Sequence, residues 1–432
     1  MFERKHFLHS RKFWGFVLLT AGILTACGQK QDESVEGAGS AYDMYEETAE
    51  PSRDDEAITT DREIEADRTT TTDIANKANE AVTADGAENA EETAESRELK
   101  RRFGAECITE QTFEVELSEY EGKVWFVPYA PSGAEDFHVR IMQDEEELYE
   151  LRAYVPEKLA GEKFASLDAA AFYDVNYDGD TDIVLIETYG DTSFAAVYYG
   201  DVSIYSDGDV SVYFFSEERL SDYLTENLKE LTIPVIRDFL GNGKKNGEFA
   251  DYREAYPAVA KLKEMESGGE YKYKLIYFDD DDVPELIADN PGYFVSMYTY
   301  HDGKIYTVMD EWGYGAGGNH GYDYCPRKSS VRNYDTDYAG LILWTSYWTL
   351  GNEYELEPVA SIEYLNFIDA NGNGVPDGDE SETTGYGDKS YIDGVEITPE
   401  EEKSYSMGEY EWLGAGQDGM SPEELADALG ER

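Results

Sequence analysis

The stretch from Asp174 to Asp182 constrains the fold of this chain more than any other. It reads D-x-N-x-D-G-x-x-D and runs directly into the apolar segment Ile183 to Ile186. In calcium loops of the EF-hand type, side-chain oxygens at positions one, three and five face a common centre. Position six is glycine, position seven offers its carbonyl and position nine closes the shell. Here these positions are held by Asp174, Asn176, Asp178, Gly179, Asp180 and Asp182.

Position twelve of this loop is Leu185, where a helix-flanked EF-hand carries a glutamate that binds through both oxygens. The sequence therefore predicts a calcium loop that leads into a buried strand and has fewer protein ligands than an EF-hand. The alternative is a plain turn between strands, because Asp, Asn and Gly are the commonest turn residues.

Two later segments share this spacing. One begins at Asp369 and has Pro376 at position eight, which is unusual for the pattern. Its predicted ligands are Asp369, Asn371, Asn373, the carbonyl of Val375, Asp377 and Glu380. The other lacks the first ligand and the turn glycine, because Tyr277 and Asp282 hold those positions. Its predicted ligands are Asp279, Asp281 and Glu285.

The N-terminus indicates the compartment. Basic residues precede an apolar run from Phe13 to Leu24, which ends at Leu24-Thr25-Ala26-Cys27. This pattern resembles the lipobox of bacterial lipoproteins, whose cysteine is lipidated and becomes the mature N-terminus. The resemblance implies a signal peptide over residues 1–27 and a mature protein anchored at the outer face of the cell membrane by lipid on Cys27. An ordinary secretory signal and an uncleaved anchor are the alternatives.

The net charge of the chain limits the classes of molecule that it is expected to bind. A net charge of -59 excludes nucleic acid, because phosphate binding needs clustered Lys and Arg. The same charge repels anionic headgroups, so we expect membrane contact through the lipid on Cys27 alone. Much of the acidic excess lies in residues 28–102, which are rich in Thr, Glu and Ala and poor in large apolar side chains. Such a segment cannot offset its ordering entropy by burial, and we predict a disordered tether.

From about Phe103 onward, apolar and polar residues alternate, as in Thr112 to Leu117 and Lys123 to Val127. This period is typical of half-buried strands. Helical stretches are predicted at residues 216–239 and 249–265, with a glycine-containing linker at residues 241–247 between them. We predict an α+β fold, mainly antiparallel β, with two lobes at residues 103–243 and 248–432.

Several segments resemble known families. The segment Phe172 to Ile183 resembles the aspartate loops of FG-GAP/VCBS-type repeats, which bind calcium between strands. The segment Ile276 to Leu286 is similar to an LIDLDGDGVPEL segment in surface lipoproteins of gut Clostridia, and Tyr298 to Tyr306 and Tyr391 to Ile397 fit the same group. The resemblance implies a secreted calcium-binding lipoprotein of unknown role. A β-propeller is not expected, since three irregular loops do not make an even repeat.

Catalytic motifs are missing from the sequence. Neither H-E-x-x-H nor G-x-S-x-G occurs, and we predict no catalytic residue. A Cys/His site has one possible location, the glycine-rich segment at residues 313–322 with Cys325 after it, and its alternative is a loop between strands. Cys107 and Cys325 are expected either to form a disulfide between the lobes or to be two buried thiols.

We therefore predict a membrane-anchored, extracytoplasmic binding or scaffold protein whose lobes are stabilised by calcium. Exposed Tyr and Trp side chains are expected to present a surface for a glycan or protein ligand. The alternatives are a solute-binding lipoprotein that serves a transporter, and a wall-active hydrolase. The first would need repeated strand–helix units, which the sequence does not display.

Overall fold

The computed structural model describes residues 93–432 except 205–209, 268–270, 315–320, 377, 379–389, 393, 406–410, 415–417 and 431–432. The predicted signal peptide, Cys27 and most of the predicted tether lie outside the described residues. No helix within the described part is long and apolar enough to cross a membrane. Residues 94–102, predicted as the end of the tether, belong instead to helix α1 (Ala94–Phe103). The side chain of Thr93 caps this helix, and Phe103 packs against Trp125.

Two four-stranded antiparallel meanders form the N-terminal part. The first contains β1 (Phe113–Glu116), β2 (Lys123–Tyr129), β3 (His138–Gln143) and β4 (Glu146–Arg152). The second contains β5 (Phe164–Tyr173), β6 (Asp182–Tyr189), β7 (Thr192–Ile204) and β8 (Val210–Ser216). The two sheets share one apolar cluster, which includes Phe126 and Ile141 from the first and Ile183 and Phe194 from the second. The second sheet is buried on both sides, because Val184 and Ile186 on the opposite face of β6 belong to another hydrophobic cluster.

Three helices follow, namely α2 (Glu218–Asn227), α3 (Ile233–Gly241) and α4 (Tyr252–Ser267). The single helical stretch predicted over residues 216–239 is wrong, since two helices occupy it. The break has a local cause: the hydroxyl of Thr232 caps the second helix, and Pro234 lies in its first turn. Both residues are typical helix starts, and proline removes an amide that a continuous helix would need.

The C-terminal part contains a third meander and a larger sheet. The meander is β9 (Lys272–Ile276), β10 (Glu285–Asn290), β11 (Phe294–His301) and β12 (Lys304–Gly313). The strands of the larger sheet are β13 (Tyr322–Cys325), β14 (Ser330–Asp337), β15 (Ile342–Leu350), β16 (Leu356–Leu365), β17 (Ser390–Ile392), β18 (Val395–Ile397) and β19 (Leu413–Gly414). Their order across the sheet is β18-β17-β16-β15-β14-β13-β19. Helices α5 (Pro399–Tyr405) and α6 (Pro422–Leu429) complete the chain as described.

One hydrophobic cluster contains residues from both predicted lobes. It includes Val184 and Ile186 on β6, Ile236 on α3, Tyr256 on α4 and Leu286 on β10. Helices α3 and α4 therefore contribute to a core that is shared with the second and third sheets. The predicted class, α+β with mainly antiparallel sheet, is confirmed. The boundary between lobes at residues 243–248 stays a prediction.

Candidate metal centres

The first predicted loop closes a hairpin. Its ninth position, Asp182, is the first residue of β6 and pairs with the last residue of β5. Within the loop, the amide of Gly179 donates to Asp174 Oδ2 over 3.2 Å. The amide of Asp178 donates to Asn176 Oδ1, also over 3.2 Å. The backbone thus wraps around the oxygens at positions one and three, as the sequence spacing requires.

Asp182 holds the loop together from inside the protein. Its side chain is fully buried, and its two oxygens accept from the amides of Val175 (2.6 Å) and Gly200 (2.9 Å). Burial and the charges of Asp178 and Asp174 raise its pKa well above the usual range of an aspartate. Because both oxygens already have donors, Asp182 organises the backbone and is less available to a cation than its position in the pattern suggests.

Asp174 has an oxygen that is available to a cation. Burial, followed by the charge of Asp178, raises the pKa of Asp174 to about 7. Its Oδ1 atom is buried and has no hydrogen-bond partner in the part of the chain that the structure describes. Buried polar atoms nearly always have a partner, so an oxygen of this kind calls for an ion, a water or a proton.

A residue outside the motif, Glu119, reaches this loop from the turn between β1 and β2. Its Oε1 accepts from the amide of Thr181 over 2.6 Å. Its Oε2 is buried with no hydrogen-bond partner among the described residues. Burial raises the pKa of Glu119, and the charge of Asp178 adds to the effect. The sequence offers no signal for this contact, because Glu119 lies 62 positions from Thr181.

The C-terminal half also contacts the first loop. Asn246 donates to Asp174 Oδ2 (3.5 Å) and exchanges two further hydrogen bonds with the backbone of Ile305. The hydroxyl of Thr307 on β12 donates to the carbonyl of Tyr177 over 2.7 Å. Asn246 belongs to the segment predicted as a linker. The loop therefore lies where the first, second and third sheets meet.

The loop after β9 repeats this construction in another sheet. Its ninth position, Glu285, begins β10 and pairs with the last residue of β9. The amide of Phe278 donates to Glu285 Oε2 over 2.6 Å, as Val175 does to Asp182 in the first loop. The amide of Asp281 donates to Asp279 Oδ1 over 3.0 Å, which matches the contact between positions five and three of the first loop.

This second loop brings its predicted ligands together. Oxygens of Asp279, Asp281 and Glu285 all lie within 4.8 Å of one another. Within the described residues, this is the one group of three or more Asp, Glu, His or Cys residues with ligand atoms so close. Burial raises the pKa of Glu285 to about 8, with the charges of Asp279 and Asp281 contributing. The first loop contains no such trio among the described residues, since Asp182 is turned toward backbone amides.

The position of the missing first ligand is covered by an arginine. The guanidinium of Arg327 lies 4.7 Å from the centre of the Tyr277 ring. It donates to the carbonyl of Asp281 (2.9 Å) and to Asp282 Oδ1 (3.2 Å). The turn between β13 and β14 thus places a fixed positive charge beside the loop, which sequence spacing could not have indicated.

The third predicted loop has the same hydrogen bonds but lies at the surface. Gly374 donates to Asp369 Oδ2 (2.9 Å), Asn373 to Asn371 Oδ1 (2.9 Å), and Val375 to Asn373 Oδ1 (3.0 Å). Hydrogen bonds from backbone amides, that of Gly374 first, lower the pKa of Asp369. The carboxylate is thus stabilised as an anion by the protein itself. The other two predicted ligands, Asp377 and Glu380, lie outside the described residues.

The two cysteines, one histidine and part of the glycine-rich segment can be placed in the described structure. Cys107 and Cys325 are both buried free thiols, so the disulfide alternative does not hold. The ring of His138 stacks on Tyr129 with centroids 5.0 Å apart. The glycine-rich segment at residues 313–322 is described only in part. Its Tyr314 hydroxyl donates to Asp289 Oδ1 over 2.5 Å, while residues 315–320 lie outside the description.

No protein-family model, no curated protein and no solved structure matches this chain.

Proposed function

We propose that this protein is an extracytoplasmic lipoprotein, anchored through lipid on Cys27, whose β-rich fold is stabilised by calcium. We further propose that it acts as a binding or scaffold module at the cell surface. One observation carries the calcium proposal: the loops at 174–182 and 277–285, in different sheets, share strand pairing and hydrogen-bond register. The second of them gathers three carboxylates within 4.8 Å.

Electrostatics supports a cation at these loops. Burial of a carboxylate costs free energy, and here the cost appears as raised pKa values for Asp174, Asp182 and Glu285. A divalent cation would favour the ionised forms. Oxygen-only ligand sets favour calcium or magnesium over zinc or copper. Irregular loops with carbonyl and carboxylate ligands suit calcium better, because magnesium demands a strict octahedron.

The position of the loops suggests what calcium would do. The first loop contacts Glu119 in the turn between β1 and β2 and Thr307 on β12. The second loop contacts Arg327 in the turn between β13 and β14 of the larger sheet. A cation in either loop would fix neighbouring sheets against each other. An abundant extracellular calcium supply makes weak sites sufficient for this role, with dissociation constants of about 10⁻⁴ to 10⁻³ M.

Exposed aromatic side chains support a recognition role. Tyr293 and Phe294, which adjoin at the turn between β10 and β11, are 63% and 42% exposed. Large aromatic surfaces that remain in water are commonly used to contact glycans or other proteins. The described sheets contain antiparallel pairs throughout, which gives no support to a solute receptor built from strand–helix units.

A calcium titration of the full chain in detergent tests the proposal. We expect the melting temperature to rise saturably with calcium and less with magnesium. A free calcium level ten times the dissociation constant adds about 1.4 kcal/mol per site. The variants Asp174→Asn/Asp178→Asn and Asp279→Asn/Asp281→Asn should each lose part of the rise. The matched variant Glu114→Gln/Glu116→Gln, which removes two exposed carboxylates from β1, should keep it.

If neither the natural chain nor any variant responded to calcium, we would conclude that the loops are only turns between strands. Recognition is tested separately, by binding of the calcium-loaded chain to glycan arrays and to cell-surface extracts. A failure to bind either would remove the recognition role and leave the calcium proposal intact.

A further inference from the structure

One buried acid has a role that the calcium loops do not explain. Glu187 lies on β6 and is 0% exposed. Neither of its carboxylate oxygens has a hydrogen-bond partner in the described part of the chain. Side chains alternate across a strand, so Glu187 faces the same way as Ile183 and Leu185. Those residues belong to the apolar cluster between the first and second sheets.

Among the described residues, the groups that act on Glu187 provide no positive charge. On the paired strands, Leu167 and Phe194 lie directly opposite. The charge that acts on Glu187 is that of Asp168 on β5, which is exposed and accepts from Ser166 and Thr188. The titratable neighbours on its own strand and on β7 are Tyr189 and Tyr198. The facing sheet contributes apolar side chains such as Phe137 and Leu151.

A bound cation would stabilise the carboxylates of the loops, but the surroundings of Glu187 do not suit a cation. Calcium takes six to eight oxygen ligands, and within the described residues Glu187 belongs to no group of three acidic side chains with closely spaced oxygens. Asp182, by contrast, has two backbone donors and further acidic neighbours. Burial, with the charge of Asp168 adding to it, raises the pKa of Glu187 to about 8. The ligand that suits an isolated buried carboxylate is a proton.

We propose that Glu187 is a proton-binding site, which takes up one proton when the sandwich of the first and second sheets forms and makes that sandwich sensitive to alkaline pH independently of calcium. The sign follows from linkage. An unfolded glutamate releases its proton near pH 4.3, while the folded one keeps it until about pH 8. The folded state thus binds more protons across this window, and stability is lost as the pH rises through it. Above about pH 8 the loss levels off.

Urea unfolding of the full chain in saturating calcium tests this between pH 5 and pH 9. The unfolding constant of the natural chain, divided by that of Glu187→Gln, should rise about tenfold for each pH unit up to pH 8. The variant Glu187→Leu should behave like Glu187→Gln, because it also removes the ionisable group. The control Glu116→Gln, on the exposed side of β1, should run parallel to the natural chain. If the unfolding constants of both Glu187 variants changed with pH in parallel with that of the natural chain, the proposal would be overturned.

A direct measurement covers the case in which neither Glu187 variant folds. Carbon-13 carboxyl resonances of glutamate-labelled natural chain, recorded with saturating calcium and again with chelator, should include one that titrates near pH 8 in both conditions. The acids near the loops should shift between the two conditions. The absence of any calcium-insensitive glutamate that titrates above pH 7 would equally overturn the proposal.

Discussion

The loops at 174–182 and 369–375 have the same internal hydrogen bonds and opposite electrostatics. In the first, burial and a neighbouring carboxylate raise the pKa of Asp174 to about 7. In the other, backbone amides lower the pKa of Asp369, which lies at the surface. The comparison shows that a calcium-type spacing determines the backbone conformation of the loop. It does not determine whether the carboxylates need a cation to be stable as anions. That need depends on what covers the loop, and the first loop is covered by elements from two other sheets.

The largest expected difference between the two loops is in the free energy of unfolding that is lost when an aspartate that accepts backbone hydrogen bonds is replaced by alanine. Asp182→Ala removes the acceptors of two buried amides, Val175 and Gly200, and should lower the free energy of unfolding by about 2–5 kcal/mol. Asp369→Ala should lower it much less, because Asp369 lies at the surface and water can replace the lost acceptor. Urea unfolding of both variants in chelator measures the two values. Equal losses would mean that the two loops are equally buried in solution.

The pH dependence should also separate the loops. The folded state holds the Asp174 proton over a range in which the unfolded chain has lost it, so the free energy of unfolding falls as the pH rises from about 4 to about 7. Because Asp174 is partly exposed, we expect about 2 kcal/mol from this group. Asp174→Asn should remove this part of the fall.

The opposite sign holds for Asp369. Its contribution is present above about pH 4 and is lost as the pH falls below that value. Asp369→Asn should therefore leave the profile between pH 4 and pH 7 unchanged. Unfolding free energies of the natural chain and both variants, measured in chelator, test this pair of expectations. A flattened profile in Asp369→Asn would contradict the assignment.

The smallest expected effect sharpens the comparison by testing a ligand from outside the motif. Glu119→Gln should weaken calcium binding at the first loop by about tenfold, or about 1.4 kcal/mol, because it removes a buried negative charge close to Asp178. Glu121→Gln, an exposed change in the same turn, should leave the affinity unchanged. Isothermal titration with calcium measures both. An unchanged affinity in Glu119→Gln would restrict that residue to holding Thr181.

Local patterns predicted most of the secondary structure. Alternation located β1 and β2, and the apolar run from Ile183 to Ile186 located β6. The spacing of Asp, Asn and Gly matched the hydrogen bonds of all three loops. Thr232 and Pro234 are local signals for the start of α3. The prediction of one continuous helix gave them less weight than the longer apolar pattern. Glu187 was not predicted as a functional residue, although it follows Ile183 and Leu185 at the two-residue period of a strand face.

Long-range contacts were not predictable. Glu119, Asn246 and Arg327 reach the loops from distant segments, and a single sequence has no periodicity that links them to a loop. For the same reason, the sequence analysis could judge each loop only by how many ligand positions of the calcium pattern it fills. By that criterion the first loop is the better calcium site, whereas the structure brings three carboxylates close together in the second. Only packing decides which oxygens meet.

The contacts that complete the first loop have a consequence for the order of folding. They join Thr181 to a residue 62 positions away, Asp174 to one 72 away and Tyr177 to one 130 away. Contacts at such separations form after the local hairpins, because closing long loops costs entropy before it yields contacts. The cation would thus find its full set of neighbours only after the folding transition state. Calcium is then expected to slow unfolding and to leave the folding rate nearly unchanged.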